Sequence, residues 1–142
     1  MKNTTQIIFL MILGISSIFV MKSSLAGPMS ADRGWDDLPK AMADVNADGK
    51  PDFCRFVGNK PKIFLSCHLA TNDGFDPNNQ FGFNSGVGID TGYADMPRLI
   101  RDVNGDGRAD FCRWVGNAPN IYESCLLAGQ RGFPGTEFRL NR

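Results

Sequence analysis

The sequence predicts an all-β protein built from two tandem copies of one unit. Three observations carry this. A pattern of identical and similar residues repeats after 58 positions over nearly the whole chain beyond residue 34. The composition is rich in Gly, Asn, Asp and Phe, with few stretches of helical period, which favours short strands and many turns. Each copy also holds two β-rich apolar runs separated by a short polar connection containing proline. A period of this length denotes one supersecondary unit duplicated, with neighbours burying each other's apolar faces.

Residues 1–26 read as an export signal. Lys2 gives a thin positive start, residues 7–21 form an apolar run, and Ser24-Leu25-Ala26 places small residues where signal peptidase reads. The competing reading is an uncleaved anchor, but this run is short for a bilayer and is interrupted by Gly14, Ser16 and Ser17. Cleavage leaves 116 of the 142 residues, with 13 Lys and Arg against 15 Asp and Glu. So balanced a charge points to neither nucleic acid nor an anionic membrane surface. The expected location is secreted and extracellular, with no membrane span once the signal is removed.

Residues 35–92 form the first unit and 93–142 the second. Residues 27–34 precede them. The second unit is eight residues shorter, lacking the counterpart of 85–92, and the leading eight residues match that deficit. They are expected either to supply the missing strand or turn, within one chain or between neighbours, or to be disordered.

The unit opens on an acidic loop. Asp44, Asn46, Asp48 and Asp52 recur as Asp102, Asn104, Asp106 and Asp110, with Gly49 and Gly107 at the sixth position. Oxygen-bearing side chains at positions 1, 3, 5 and 9 with Gly at 6 suit a hard cation such as Ca²⁺, and three carboxylates in one loop repel one another without it. The expected cofactor is therefore Ca²⁺, at two sites. An EF-hand is excluded because position 12 holds Arg55 or Arg113 rather than Glu. The alternative without metal is a pair of turns whose Asn and Asp side chains bond their own backbone.

The hairpin follows. Runs 53–58 and 63–70, and their equivalents 111–116 and 121–128, are joined by four-residue connections, 59–62 and 117–120. If Gly58 faces Ile63, Cys54 faces Cys67 and Cys112 faces Cys125. Directly opposed antiparallel residues lie at a separation a disulfide accepts. Of three connectivities, Cys54–Cys67 with Cys112–Cys125 alone respects both hairpin and repeat; free buried thiols are one other reading, and zinc is a weaker one because Cys-x₁₂-Cys with a single His spaces ligands poorly.

The aromatic candidates are Trp35, Tyr93, Trp114 and Tyr122, with Phe75, Phe81 and Phe83 in the Gly/Asn-rich stretch 72–92. Rings beside Asn, Asp and Arg suit sugar recognition, yet aromatics that recur between units are more often core. Arg55 and Arg113 are expected to bridge to a loop carboxylate. His68 stands alone, with Leu126 at its equivalent position, and no Gly-x-Ser-x-Gly, His-Glu-x-x-His or phosphate-cradling loop is present. The chain is not expected to be an enzyme.

The loop Asp-x-Asn-x-Asp-Gly-x-x-Asp, followed at once by a short aromatic strand, resembles the FG-GAP (VCBS-type) repeat, the calcium-loop blade of integrin α-chain propellers, some lectins and many secreted bacterial proteins. The resemblance covers both units. It implies propeller-blade-like units, with Asp44, Asn46, Asp48, Asp52 and the Lys50 carbonyl around one Ca²⁺. Asp102, Asn104, Asp106, Asp110 and the Arg108 carbonyl would surround the other. Such blades usually come in sevens and this chain has two, so either copies assemble to complete a propeller or the two units pack face to face. The implied role is lectin- or adhesion-like binding of an extracellular glycan or protein. The alternative is a structural or interaction module without a small ligand, and a small secreted hydrolase is the third reading.

Overall fold

A computed structural model describes residues 32–140; the signal-like segment and residues 27–31 lie outside the described residues. The strands are β1 (Ala41–Ala43), β2 (Asp52–Asn59), β3 (Lys62–His68), β4 (Ala70–Thr71), β5 (Gly74–Phe75), β6 (Phe83–Asn84), β7 (Leu99–Arg101), β8 (Asp110–Asn117), β9 (Asn120–Leu126) and β10 (Glu137–Leu140). They form three antiparallel sheets, ordered β1-β2-β3-β6, β10-β9-β8-β7 and β4-β5.

The fold is all-β, but the propeller-type architecture is not upheld. None of the three sheets is closed, and the four-stranded sheets lie against each other. The reason is the number of units: two sheets satisfy their apolar faces by covering one another, and two cannot encircle an axis.

The hairpins set everything else. β2 and β3 pair Gly58 with Ile63, Phe56 with Leu65, Arg55 with Ser66 and Cys54 with Cys67. β8 and β9 repeat this, with Gly116 opposite Ile121 and Cys112 opposite Cys125. Pairing runs on to Asn59–Lys62 and Asn117–Asn120, so each connection is a two-residue turn rather than the expected four-residue loop. Each turn contains a cis X-Pro bond, Lys60-Pro61 or Ala118-Pro119.

Opposed residues share a face, so the registers sort the side chains. One face of the first large sheet carries Cys54, Phe56, Ile63, Leu65, Cys67 and Phe83, all in the main core. The second sheet covers it with the face that carries Ile100, Phe111 and Leu126. Phe56 meets Phe111 edge-to-face at 5.0 Å between centroids, and Phe83 meets Phe133 likewise at 5.3 Å. Two backbone bonds tie the seam, Ala109 N–H to the Asp44 carbonyl and Phe133 N–H to the Asn84 carbonyl.

The fourth strand arises differently in the two units. In the first, β6 comes from the Gly/Asn-rich stretch and pairs with β3 at Ser66 and Cys67. In the second, β10, near the C-terminus, pairs with β9 from Glu123 to Leu126. At the other end, Asp32 lies against the first unit: its carbonyl accepts from Arg55 Nε and its amide donates to Gln80 Oε1.

Candidate functional site

The acidic loops fold as hydrogen-bonded turns. In the first, the Asp44 carboxylate accepts from the amides of Asp48 and Gly49, at 3.2 and 2.7 Å. Asn46 Oδ1 accepts from the Asp48 amide, and Asp48 Oδ1 from the Lys50 amide. Asp48 Oδ2 receives the Asn46 amide group and lies 3.6 Å from Lys50 Nζ. The second loop matches. Asp102 accepts from Asn104, Gly105 and Gly107; Asn104 accepts from Asp106; Asp106 accepts from the amide and guanidinium of Arg108.

The ninth residue of each loop points inward. Asp52 is fully buried, and its two oxygens accept from the amides of Val45 and Ala70 at 3.0 and 2.8 Å. Asp110, equally buried, holds Val103 and Ala128 in the same way. Each of these carboxylates pins its own loop to the segment that leaves the hairpin. Burial pushes both carboxyls above their usual range despite two amide donors each. Asp48 and Asp102 move the opposite way, held low chiefly by the amides of Lys50 and Gly107.

The expectation of two Ca²⁺ sites is therefore corrected. A hard cation of this kind needs six to eight oxygens converging on one point. Here the oxygens of Asp44, Asn46, Asp48 and Asp52, and of Asp102, Asn104, Asp106 and Asp110, are turned to backbone amides and neighbouring cations. No set of three carboxylates from either loop comes together, and Lys50 and Arg108 place cationic side chains against Asp48 and Asp106. The reading of these segments as self-bonded Asn/Asp/Gly turns describes them. Among the described residues, the ligand atoms that do gather within 4.8 Å of one another belong to Cys112, Glu123 and Cys125, all buried. Sulfur donors suit a softer, zinc-like ion rather than Ca²⁺. In this state the two sulfurs are joined to each other, and a bridged sulfur is not the thiolate that binds a metal.

Both cysteine pairs are bridged within their hairpins, Cys54–Cys67 and Cys112–Cys125, each spanning 13 positions with 4.0 Å between Cα atoms. Free cysteines are absent from the described residues.

The recurrent arginines do not reach the acidic loops. Arg55 is fully buried and binds the carbonyls of Asp32, Ser66 and Gln80. Burial lowers its pKa. Arg113 binds the carbonyls of Asp90 and Ser124 and forms an ion pair with Glu137 on β10. Each arginine is roofed by a glycine in the left-handed region. A Cβ on Gly34 or Gly92 would sit 2.7 Å from the Arg55 or Arg113 Cγ.

Trp35 and Tyr93 are pegs rather than platforms. The Trp35 amide and indole N–H donate to the carbonyls of Phe56 and Gly58, while the Tyr93 amide and hydroxyl donate to those of Trp114 and Gly116. Tyr122 lies under Arg139, with 3.8 Å from the guanidinium carbon to the ring centroid. Phe81 stacks on Arg55, Phe83 is core, and Phe75 covers His68. His68 is buried, with Nε2 2.6 Å from the Asp76 carbonyl oxygen. The described residues form several open depressions. One of 560 Å³ is lined by Pro61, Phe64 and residues 86–90, one of 340 Å³ by Asn84 and residues 129–134, and one of 280 Å³ lies beside Trp35.

One feature escapes sequence reading. The second large sheet has an outer face on which apolar side chains stay partly exposed among the described residues. Leu99 and Phe138 flank the Cys112–Cys125 bridge there, 45 % and 41 % exposed, with Trp114 and Ile121 partly exposed beside them. The alternation of β8 hints at this face, but β10 is only four residues long and its partner cannot be read in advance.

No family model matches the chain, and neither a curated protein nor a solved structure is similar to it. The FG-GAP resemblance therefore rests on the duplicated loop and the aromatic strand after it, without the propeller and the calcium that it implied. No helix among the described residues is long and apolar enough to cross a membrane.

Proposed function

We propose that this chain is a non-enzymatic, extracellular interaction module that presents sheet surface to a macromolecular partner and has no small-ligand site. The observation that carries the reading is the apolar outer face of the second sheet, where Leu99 and Phe138 stand in solvent on either side of a buried disulfide. Exposed apolar side chains grouped on a rigid, stapled sheet mark contact surface. Two disulfides suit an oxidising compartment, and the apolar run at 7–21 suits export. Glycan recognition draws less support, because Trp35 and Tyr93 are tied to backbone carbonyls and Tyr122 is covered by Arg139.

Hydroxyl-radical footprinting tests this. Leu99 and Phe138 should label strongly in dilute purified protein and be protected in the medium into which the host exports it. Equal labelling in both settings contradicts the proposal. So does saturable binding of a simple saccharide that shifts the signals of Trp114 or Tyr122.

A further inference from the structure

The seam between the two units holds the information about what the outer faces fit. Within the chain, the face of the first sheet bearing Phe56 and Phe83 is covered by the face of the second sheet bearing Phe111, with Phe133 beside it. Because the units are copies, each has both kinds of face. One of each is used internally, and among the described residues the other of each keeps exposed apolar side chains.

The leftover face of the second sheet is the counterpart of the covered one. Trp114 stands where Phe56 stands, Ile121 for Ile63, Cys112 and Cys125 for Cys54 and Cys67, and Phe138 occupies the register position of Phe83. Phe56 and Phe83 are 0 % and 1 % exposed, whereas Phe138 is 41 % exposed and Trp114 partly so. The leftover face of the first sheet is the counterpart of the covering one. Met42 stands for Ile100, Phe53 for Phe111 and Phe75 for Phe133. Ile100 packs on the core, but Met42 is 54 % exposed, and Phe53 and Phe75 are partly exposed.

The exceptions to the repeat are themselves paired. Leu65 and Leu126 lie in the internal core, and at their equivalent positions on the leftover faces stand Glu123 and His68. On the outer faces these leucine positions thus hold an acid, buried and ion-paired with Arg101, and an imidazole. His68 Nδ1 is buried with no hydrogen-bond partner among the described residues. One seam contact does not transfer. The position of Ala109, whose amide bonds the Asp44 carbonyl, is Pro51 in the first unit, which has no N–H to give.

We infer that a second copy of this chain docks head to tail, laying the Met42–Phe53–Phe75 face of one molecule on the Leu99–Trp114–Phe138 face of the next. The contact repeats the internal seam, with Phe53 against Trp114 and Phe75 against Phe138. It is heterologous, since two different surfaces meet. This deepens the interaction-module reading, on which it rests, by naming the partner.

Sedimentation velocity on the exported full chain with disulfides intact tests it. Wild type should self-associate. The variants Leu99→Glu with Phe138→Glu, and Met42→Glu, should each weaken self-association roughly thirty-fold or more. All three substituted residues are exposed, so circular dichroism should stay native; Phe138→Ser serves if the double variant fails that check. A one-to-one mixture of the two variants should then recover a species of two copies, because each keeps the half that the other lost. A monomeric wild type, unchanged association of either variant, or a mixture that stays monomeric overturns the inference. Protection of Leu99 and Phe138 in the native medium, with wild type monomeric, would reject self-association and leave the module reading standing.

Discussion

Replacing Phe56 by alanine should cost about 4 kcal/mol of folding stability. The ring is fully buried at the centre of the seam and meets Phe111 edge-to-face at 5.0 Å. Removing a buried phenylalanine loses its transfer energy and leaves a cavity, together about 3–5 kcal/mol. The edge-to-face pair is worth about 1 kcal/mol within that figure. Against a total of about 5–15 kcal/mol for a domain, the loss is a large share, equivalent to a fall in melting temperature of roughly 15–25 °C. Urea titration gives the assay, because Trp35 and Trp114 report on one unit each. Single-tryptophan versions, Trp35→Phe and Trp114→Phe, should show coincident transitions before and after the change, since both units close on the same core. Trp114→Ala, at the equivalent position on the partly exposed face, should cost less, about 1–2 kcal/mol. A loss below about 1 kcal/mol for Phe56→Ala, or separate transitions for the two tryptophans, would refute the picture of two sheets sharing one core.

Opening one bridge, by Cys112→Ser together with Cys125→Ser, should lower stability by about 3 kcal/mol, measured by the same titration; a loss under about 1 kcal/mol would contradict it. Asp110→Ala should cost about 2–4 kcal/mol, because the amides of Val103 and Ala128 lose their acceptor inside the protein. Asp110→Asn should cost less, since one side-chain oxygen remains, and hydrogen exchange at Val103 and Ala128 would show which bond survives. Glu137 governs part of the acid limb. Burial tends to raise its pKa, but hydrogen bonds from Arg113 and Ser124 and the charge of Arg113 prevail and leave it below the ordinary value. Its contribution is therefore complete above the unfolded carboxylate pKa of about 4.3 and drains away as pH falls through the lower folded value. Glu137 is about half exposed, so Glu137→Gln should flatten stability against pH there by no more than about 1 kcal/mol. A steeper acid limb in the variant would reverse the assignment.

The central hairpins were legible because several signals agree. A glycine before the turn, a proline within it and one cysteine in each strand admit one register, and the duplication states it twice. The outer strands were not. β6 has two residues and β10 four, and neither carries an alternation long enough to announce a strand. Loop chemistry was legible as composition but not as direction. The spacing of Asp44, Asn46, Asp48 and Asp52 fits an inward-facing cage as well as it fits side chains bonding their own backbone, and only the placed amides separate the two. Asp52 and Asp110 were the least readable of the ten loop residues. What commits them is a bond to Ala70 or Ala128, 18 positions away. The partner of Arg113 was hidden for the same reason, since Glu137 lies 24 residues further on. The seam faces need the sheets in hand: the alternation divides each strand into two sides without saying which side a neighbour takes.

Each disulfide joins residues 13 positions apart within one hairpin, and no covalent link crosses between the units. Under tension applied at its ends, the chain would come apart along the seam and then unravel each unit only as far as its bridge. Some 40–45 Å of polypeptide per unit would stay out of reach of the pulling force, at about 3.3–3.6 Å for each withheld residue. A thiol reductant would release that slack as two discrete lengthening steps, giving the protein a tensile reserve set by the redox state of its surroundings.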